Sequence, residues 1–249
     1  MLYIEKKKTP PHEMIRKVSK IKSSPEWKRI KNGNTDVIRN AFESLPKEII
    51  RESLLEEQHY LCAYCMRRIQ NNGLKTSIEH WYPLSKDREQ ALDYGNMLAV
   101  CDGGKKWAGE GKKFLCCDAY KADEAELTIS PLNRQQMDKI VYEKDGFIKT
   151  DPPDEKMNED MKNILRLNGI WKDGKFLADT STELVKGRKD AYLRCKRFIA
   201  KLDHEGKCTS SRVKKKIDEI EAAEQRLEYA GVILYVLKRK YRSLVSRGL

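Results

Sequence analysis

Five cysteines between residues 62 and 117 limit the folds open to this chain more than any other feature. They run Cys62-Ala63-Tyr64-Cys65, then Cys101, then Cys116-Cys117. Two cysteines separated by two residues form a knuckle that turns both thiolates toward one metal. Cys101, at the end of an apolar run, and either Cys116 or Cys117 would complete four sulfur ligands. Four thiolates are the donor set of a closed, structural, tetrahedral zinc site. The chain has 7 cysteines, an odd number that fits metal binding in a reducing compartment better than a disulfide framework. A loop-rich segment of this size has little core of its own, and bound metal supplies folding energy. Cys195 and Cys208 are left over, the first expected in the core and the second in a loop.

A second donor set is interleaved with the cysteines. Of the 4 histidines, only His80 lies in a strand-like apolar context directly after an acid, Glu79. An imidazole titrates near neutral pH and can take the proton of a water that attacks a phosphodiester. Glu79 and Asp118 offer carboxylate oxygens of the kind Mg²⁺ prefers. Asn96 can hydrogen-bond to backbone or to the imidazole and fix the ring. Strand alternation sends Glu79 and His80 to opposite sides. A kink at the strand end, helped by Pro83, is expected to bring both to one site.

Around this stretch the patterning is mostly helical. Residues 1–58 read as an N-terminal helical arm, with apolar periodicity from His12, again from Thr35, and a restart after Pro46. Residues 59–132 read as knuckle, strand (77–82), polar loop, strand (97–101), glycine-rich insertion and a short helix beginning near Cys117. Residues 133–249 read as a helical region. It opens with a small hairpin over 140–148 that turns at Asp145-Gly146. A short helix from Met157 stops at Asn168-Gly169, and a long helix spans 182–202. One last helix follows the Ser210-Ser211 cap and packs antiparallel on it.

Charge points to a polyanionic partner. Lys and Arg number 50 against 38 Asp and Glu, a net charge of +12, and nucleic acid is the commonest partner of such a chain. Lys105, Lys106, Lys112 and Lys113 lie in the insertion with Trp107, a composition that suits a phosphate-contacting flap with one stacking residue. Lys121 is a further candidate contact. No apolar run is long enough to span a bilayer, and the N-terminus lacks a signal-peptide h-region. A cytoplasmic protein with no membrane partner is expected. The chain has no Gly-x-x-x-x-Gly-Lys-Ser/Thr loop, and no feature separates DNA from RNA as a substrate.

The motif series resembles the HNH (His-Asn-His) endonucleases of the ββα-metal fold. It is most similar to the HNH subunit of Septu-type anti-phage systems, including those linked to retrons. The resemblance is carried by Glu57-Gln58, Cys62-Ala63-Tyr64-Cys65, Glu79-His80, Asp93-Tyr94-Gly95-Asn96-Met97-Leu98, Cys101-Asp102-Gly103-Gly104, Cys117-Asp118-Ala119-Tyr120-Lys121 and Ile129-Ser130-Pro131-Leu132. It covers about the first half of the chain. It implies an α+β fold, with a small zinc-stabilised ββα-metal module embedded between N-terminal and C-terminal helical regions. By the same resemblance His80 is the general base, Glu79 a ligand of catalytic Mg²⁺ or Mn²⁺, and Asn96 the orienting residue. Asp118 falls where many members carry His or Asn. An Asp can ligate the cation but cannot act as a neutral hydrogen-bond donor. In this register Cys117 is the fourth zinc ligand. The implied partners are an ABC- or SMC-like ATPase that gates the nuclease and, in retron-linked systems, a reverse transcriptase with its msDNA. The implied substrate is DNA or tRNA. A zinc-stabilised binding or scaffold module without catalysis, or a stand-alone HNH nuclease, is the alternative.

Overall fold

Apolar residues three or four apart through the first 57 positions produce four helices, α1 (His12–Lys22), α2 (Trp27–Asn32), α3 (Thr35–Glu43) and α4 (Lys47–Glu57). The structure is a computed structural model that describes residues 1–32, 35–105, 114–121 and 125–248. α2 is additional to the helices expected from periodicity. Pro46 occupies the N-cap of α4, where a residue without an N–H breaks no helical bond. α4 buries Ile50, Leu54, Leu55 and the carboxylate-bearing Glu57.

The end of α4 positions the central hairpin. β1 (Thr76–His80) and β2 (Met97–Cys101) pair antiparallel, from Thr76↔Cys101 to His80↔Met97. Every residue of β2 is buried, as an unbroken apolar run requires. Gln58 covers the outer edge of β2. Its side-chain amide donates to the carbonyls of Ala99 (2.7 Å) and Leu61 (2.9 Å) and accepts from the Ala99 N–H (2.7 Å). An amide side chain thereby satisfies edge groups that would otherwise be buried and unpaired. The 81–96 connection contains two 3₁₀ turns, Arg88–Leu92 and Tyr94–Asn96.

The helix expected near Cys117 is instead a single 3₁₀ turn, Cys117–Ala119. Cys117 has φ 54°, so a regular right-handed helix cannot start on it, and its N–H is taken by the Leu165 carbonyl at 2.9 Å. The expected strand–strand–helix order is therefore met in the hairpin and ends in a short turn.

α5 (Arg134–Asp138) leads into the hairpin of β3 (Ile140–Tyr142) and β4 (Ile148–Thr150), which turns at Asp145-Gly146 as the turn chemistry predicts. α6 (Glu155–Glu159) runs into a π turn over Asp160–Ile164. A second small hairpin, β5 (Ile170–Lys172) with β6 (Lys175–Ala178), follows without having been expected. α7 (Leu184–His204), α8 (Ser210–Ala222) and α9 (Ala230–Val245) close the chain, and α9 packs on both its predecessors. The single last helix expected from periodicity is thus two helices. Their connection is tied to the knuckle, with the Arg226 N–H on the His59 carbonyl (3.1 Å) and the Tyr229 N–H on the Met66 carbonyl (3.0 Å). Those bonds pull the chain off a helical path and leave Leu227 exposed rather than in an apolar stripe. One apolar core runs from Met1 and Ile4 through β2 to Leu244. Among the described residues, no helix is long and apolar enough to cross a membrane.

Candidate metal centre

The knuckle is a tight loop. The Met66 N–H returns to the Cys62 carbonyl (3.0 Å), and the Cys62 N–H takes the Arg67 carbonyl (2.8 Å). Cys101 enters from the end of β2, its N–H donating to Cys62 Sγ at 3.3 Å. Cys65 Sγ and Cys101 Sγ are 3.7 Å apart. The sulfurs of Cys62, Cys65, Cys101 and Cys117 all lie within 4.8 Å of one another, and all four residues are buried. A tetrahedron with Zn–S bonds of about 2.3 Å sets its sulfurs about 3.8 Å apart, so this group could hold zinc. Cys116 lies outside this set of four, although its thiol also contacts Cys101 and Cys117. Its Sγ lies 3.4 Å from Thr182 Oγ1 and 3.6 Å from the Gly103 carbonyl oxygen. Gly103 permits the close approach of the two segments: at φ 60°, a Cβ there would sit 2.2 Å from the Cys116 carbonyl oxygen.

Glu79 leaves β1 toward the Cys117–Ala119 turn. Its Oε1 is paired with the buried Lys121 ammonium and lies 3.4 Å from the Tyr64 hydroxyl. Tyr64 sits between the two knuckle cysteines, so the thiolate cluster and the carboxylate share a wall. Burial raises the Glu79 carboxyl well above the usual carboxylate range. The charge of Asp118 and its hydrogen bond to Glu79 raise it further, against the pull of Lys121. Two carboxylates held this close resist carrying both charges unless a cation joins them. In the structure the Lys121 ammonium supplies that positive charge, and carboxylate oxygens are donors of the kind hard divalent cations prefer.

His80 points the other way. Its ring stands edge-on to Phe42 of α3, with centroids 4.5 Å apart, and is 8% exposed. Nε2 lies 3.0 Å from the Ala91 carbonyl. A carbonyl can only accept, so Nε2 carries the proton and the Nδ1 lone pair is left to act as a base. The expected kink at the strand end is absent. The pairing runs through His80↔Met97 and continues with the Trp81 N–H on the Asn96 carbonyl at 2.9 Å. Glu79 and His80 therefore keep to opposite faces of the hairpin, and the charges of Asp118 and Lys121 reach His80 through space. Asn96 clamps backbone rather than the imidazole. Its Oδ1 accepts from the Tyr82 N–H (2.7 Å) and its Nδ2 donates to the Tyr82 carbonyl (3.0 Å), two residues past His80.

Burial lowers the His80 pKa to about 4, so the ring is neutral at pH 7. In the unfolded chain a histidine titrates near 6.5. Between about 4 and 6.5 the unfolded chain therefore binds more protons, and stability falls as pH drops through that window. Comparing urea midpoints with those of His80→Gln isolates the effect, and a difference that does not change over this window contradicts it.

The basic residues separate. Lys121, expected as a phosphate contact, is buried against Glu79 and is not presented at the surface. Lys105 is exposed. Lys106, Lys112 and Lys113 lie outside the described residues. Sequence reasoning missed Tyr64 and Phe42 as partners of Glu79 and His80. It also missed the role of Glu57, which accepts from Lys6 Nζ (2.7 Å), the Lys7 N–H (2.8 Å) and the Tyr94 hydroxyl (2.9 Å). Lys6 Nζ also donates to the Met97 carbonyl (3.1 Å), so Glu57 braces β2 opposite His80. Its place in the Glu57-Gln58 motif was the available signal.

No family model matches the chain. It is similar to a protein assigned as the HNH endonuclease of retron Ec83 from Escherichia coli, with 31% identity over 101 residues, 36% of this chain and 38% of that protein. It is also similar to the Septu protein PtuB of Bacillus thuringiensis, with 24% identity over 126 residues, 43% of this chain and 49% of PtuB. The chain thus spans less than half the length of the curated relatives it matches. These relatives bear out the resemblance to HNH-type defence nucleases.

Proposed function

We propose that this chain is a metal-dependent HNH endonuclease subunit that hydrolyses nucleic-acid phosphodiester bonds in anti-phage defence. One observation carries the reading: buried Glu79 of β1 and half-buried Asp118 of the Cys117–Ala119 turn form a carboxylate pair beside a four-thiol cluster, with His80 and Asn96 at the end of the same hairpin as Glu79. Cys62, Cys65, Cys101 and Cys117 hold a structural Zn²⁺. Glu79 and Asp118 hold Mg²⁺ or Mn²⁺. When bound, that cation stabilises charge on the phosphate and the leaving oxygen. As the proposed base, His80 takes the proton of the attacking water at Nδ1, which requires its ring to turn from Phe42 toward the cation, because in the structure it and Glu79 face opposite sides of the hairpin. Asn96 holds the Tyr82 backbone and with it the turn that follows His80. Lys121 balances the carboxylate pair. The substrate is DNA or tRNA, and an ABC- or SMC-like ATPase gates the reaction in the cytoplasm, with a retron reverse transcriptase and its msDNA as further partners.

The test is an assay of plasmid DNA and tRNA with Mn²⁺, by the protein alone and with its ATPase. Cleavage that stops on addition of EDTA is expected, and cleavage indifferent to EDTA contradicts the proposal. A second reading, a zinc-stabilised nucleic-acid-binding module without catalysis, is favoured by the placement of Lys121 on Glu79 and of His80 against Phe42. It predicts oligonucleotide binding with no strand scission in any divalent metal.

A further inference from the structure

Between the N-terminal segment and α9 lies a cleft of about 1430 Å³. Neither Glu79, His80 nor Asp118 lines it. Two arginine-capped tyrosines do. Arg134 lies 4.1 Å over the ring of Tyr3, and Arg239 lies 5.5 Å over the ring of Tyr235. The Tyr235 ring is braced edge-on by Tyr142 at 5.6 Å. Tyr142 is itself locked, accepting from the Met1 amine (2.9 Å) and donating to the Met1 carbonyl (2.7 Å). Tyr235 is therefore a fixed platform rather than a mobile surface side chain.

The charge on this cleft is organised. α9 presents Lys238, Arg239 and Arg242 to the cleft and carries no acid in its 16 residues, while its Lys240 is paired with Asp203. Of the acids that line the cleft, Glu56, Glu57 and Glu221 are held by Lys7, Lys6 and Lys238; Glu5, Asp138 and Asp151 line it as well. Arg134, Arg239 and Arg242 have no carboxylate partner among the described residues.

We propose that this cleft binds single-stranded nucleic acid, with bases stacked on Tyr3 and Tyr235 and phosphates on Arg134, Arg239 and Arg242. Aromatic platforms engage only bases whose faces are free, and arginine beside the ring adds both cation–π and phosphate contacts. A duplex covers its bases and would satisfy the charge alone. The proposal deepens the nuclease reading and rests on it for the kind of substrate. It adds a strand-holding site separate from Glu79 and His80.

The test measures fluorescence anisotropy of a labelled single-stranded oligonucleotide, DNA and RNA, and of the matching duplex, on the zinc-loaded full chain without added Mg²⁺ or Mn²⁺, so that no cutting interferes. Wild-type protein is expected to bind the single strand more tightly than the duplex. Tyr235→Ala should lower single-strand affinity roughly 5- to 150-fold, and Tyr235→Phe should retain it. Arg134→Gln with Arg239→Gln, both exposed, should lower affinity and flatten its salt dependence, which keeps the test decisive if Tyr235→Ala misfolds. Unchanged single-strand binding in these variants, or equal duplex binding, overturns the proposal. So does loss of an acidic partner protein with oligonucleotide binding intact. Wild-type protein that binds through the cleft yet cuts nothing would overturn the nuclease reading and leave this one standing.

Discussion

A chain carrying Cys62→Ser and Cys65→Ser is expected to bind no zinc and to lose the packed structure of residues 59–132. Both substitutions remove donors from one cluster, and serine is a poor ligand for a borderline-soft ion. The remaining thiols, Cys101 and Cys117, come from the end of β2 and the Cys117–Ala119 turn, which approach closely at Gly103. Cys117 sits in a left-handed conformation that costs about 1–2 kcal/mol in an L-residue, so its position depends on what holds it. Structural zinc contributes on the order of 10–16 kcal/mol in small modules, as much as the whole stability of a typical domain. Metal analysis of the purified protein should fall from about one tightly held Zn²⁺ per chain to none. Near-UV circular dichroism should lose the signal of Tyr64. Normal zinc content in the double variant rules out the cluster.

Glu79→Gln is expected to abolish cation binding and cleavage while leaving zinc in place. The variant keeps the shape of the side chain but removes the group that pairs with Lys121 and that, beside Asp118, would bind the proposed cation. Loss of several kcal/mol of transition-state charge stabilisation corresponds to roughly 10²–10⁴-fold in rate. The variant also leaves the Lys121 ammonium buried without its partner, which is costly. Glu79→Gln combined with Lys121→Met should therefore recover stability without recovering cleavage. That split distinguishes a catalytic carboxylate from a structural ion pair. Mn²⁺ titration by calorimetry supplies the binding readout, and wild-type Mn²⁺ affinity in Glu79→Gln would refute the assignment.

Much of the central hairpin was legible because its signals are local. The unbroken apolar run Met97–Cys101 is β2 residue for residue, and Asp145-Gly146 marks a hairpin that forms where its turn chemistry requires. Three thiols of the cluster were also readable from spacing and strand order, while Cys117 rather than Cys116 followed only from the register of the resemblance. What escaped depends on contacts across long stretches of chain. The break between α8 and α9 follows from tethers to His59 and Met66, more than 150 residues away, and no periodicity records them. The turn at Cys117 replaces a helix because the residue is pinned by Leu165. Lys121 looked like a surface cation by composition and is buried because it pairs with Glu79 of β1, 42 residues earlier in the chain. The two faces of Glu79 and His80 follow plain strand alternation, which the regular pairing through His80↔Met97 preserves.

The reading of His80 as the base that activates water carries the most weight. Its direct test is the cleavage rate of plasmid DNA and tRNA, in Mn²⁺ with the ATPase present, for zinc-loaded wild-type protein beside zinc-loaded His80→Ala. Loss of a general base should slow the variant about 10²–10⁴-fold with zinc content and Mn²⁺ affinity unchanged. Cutting at the wild-type rate by His80→Ala would contradict it.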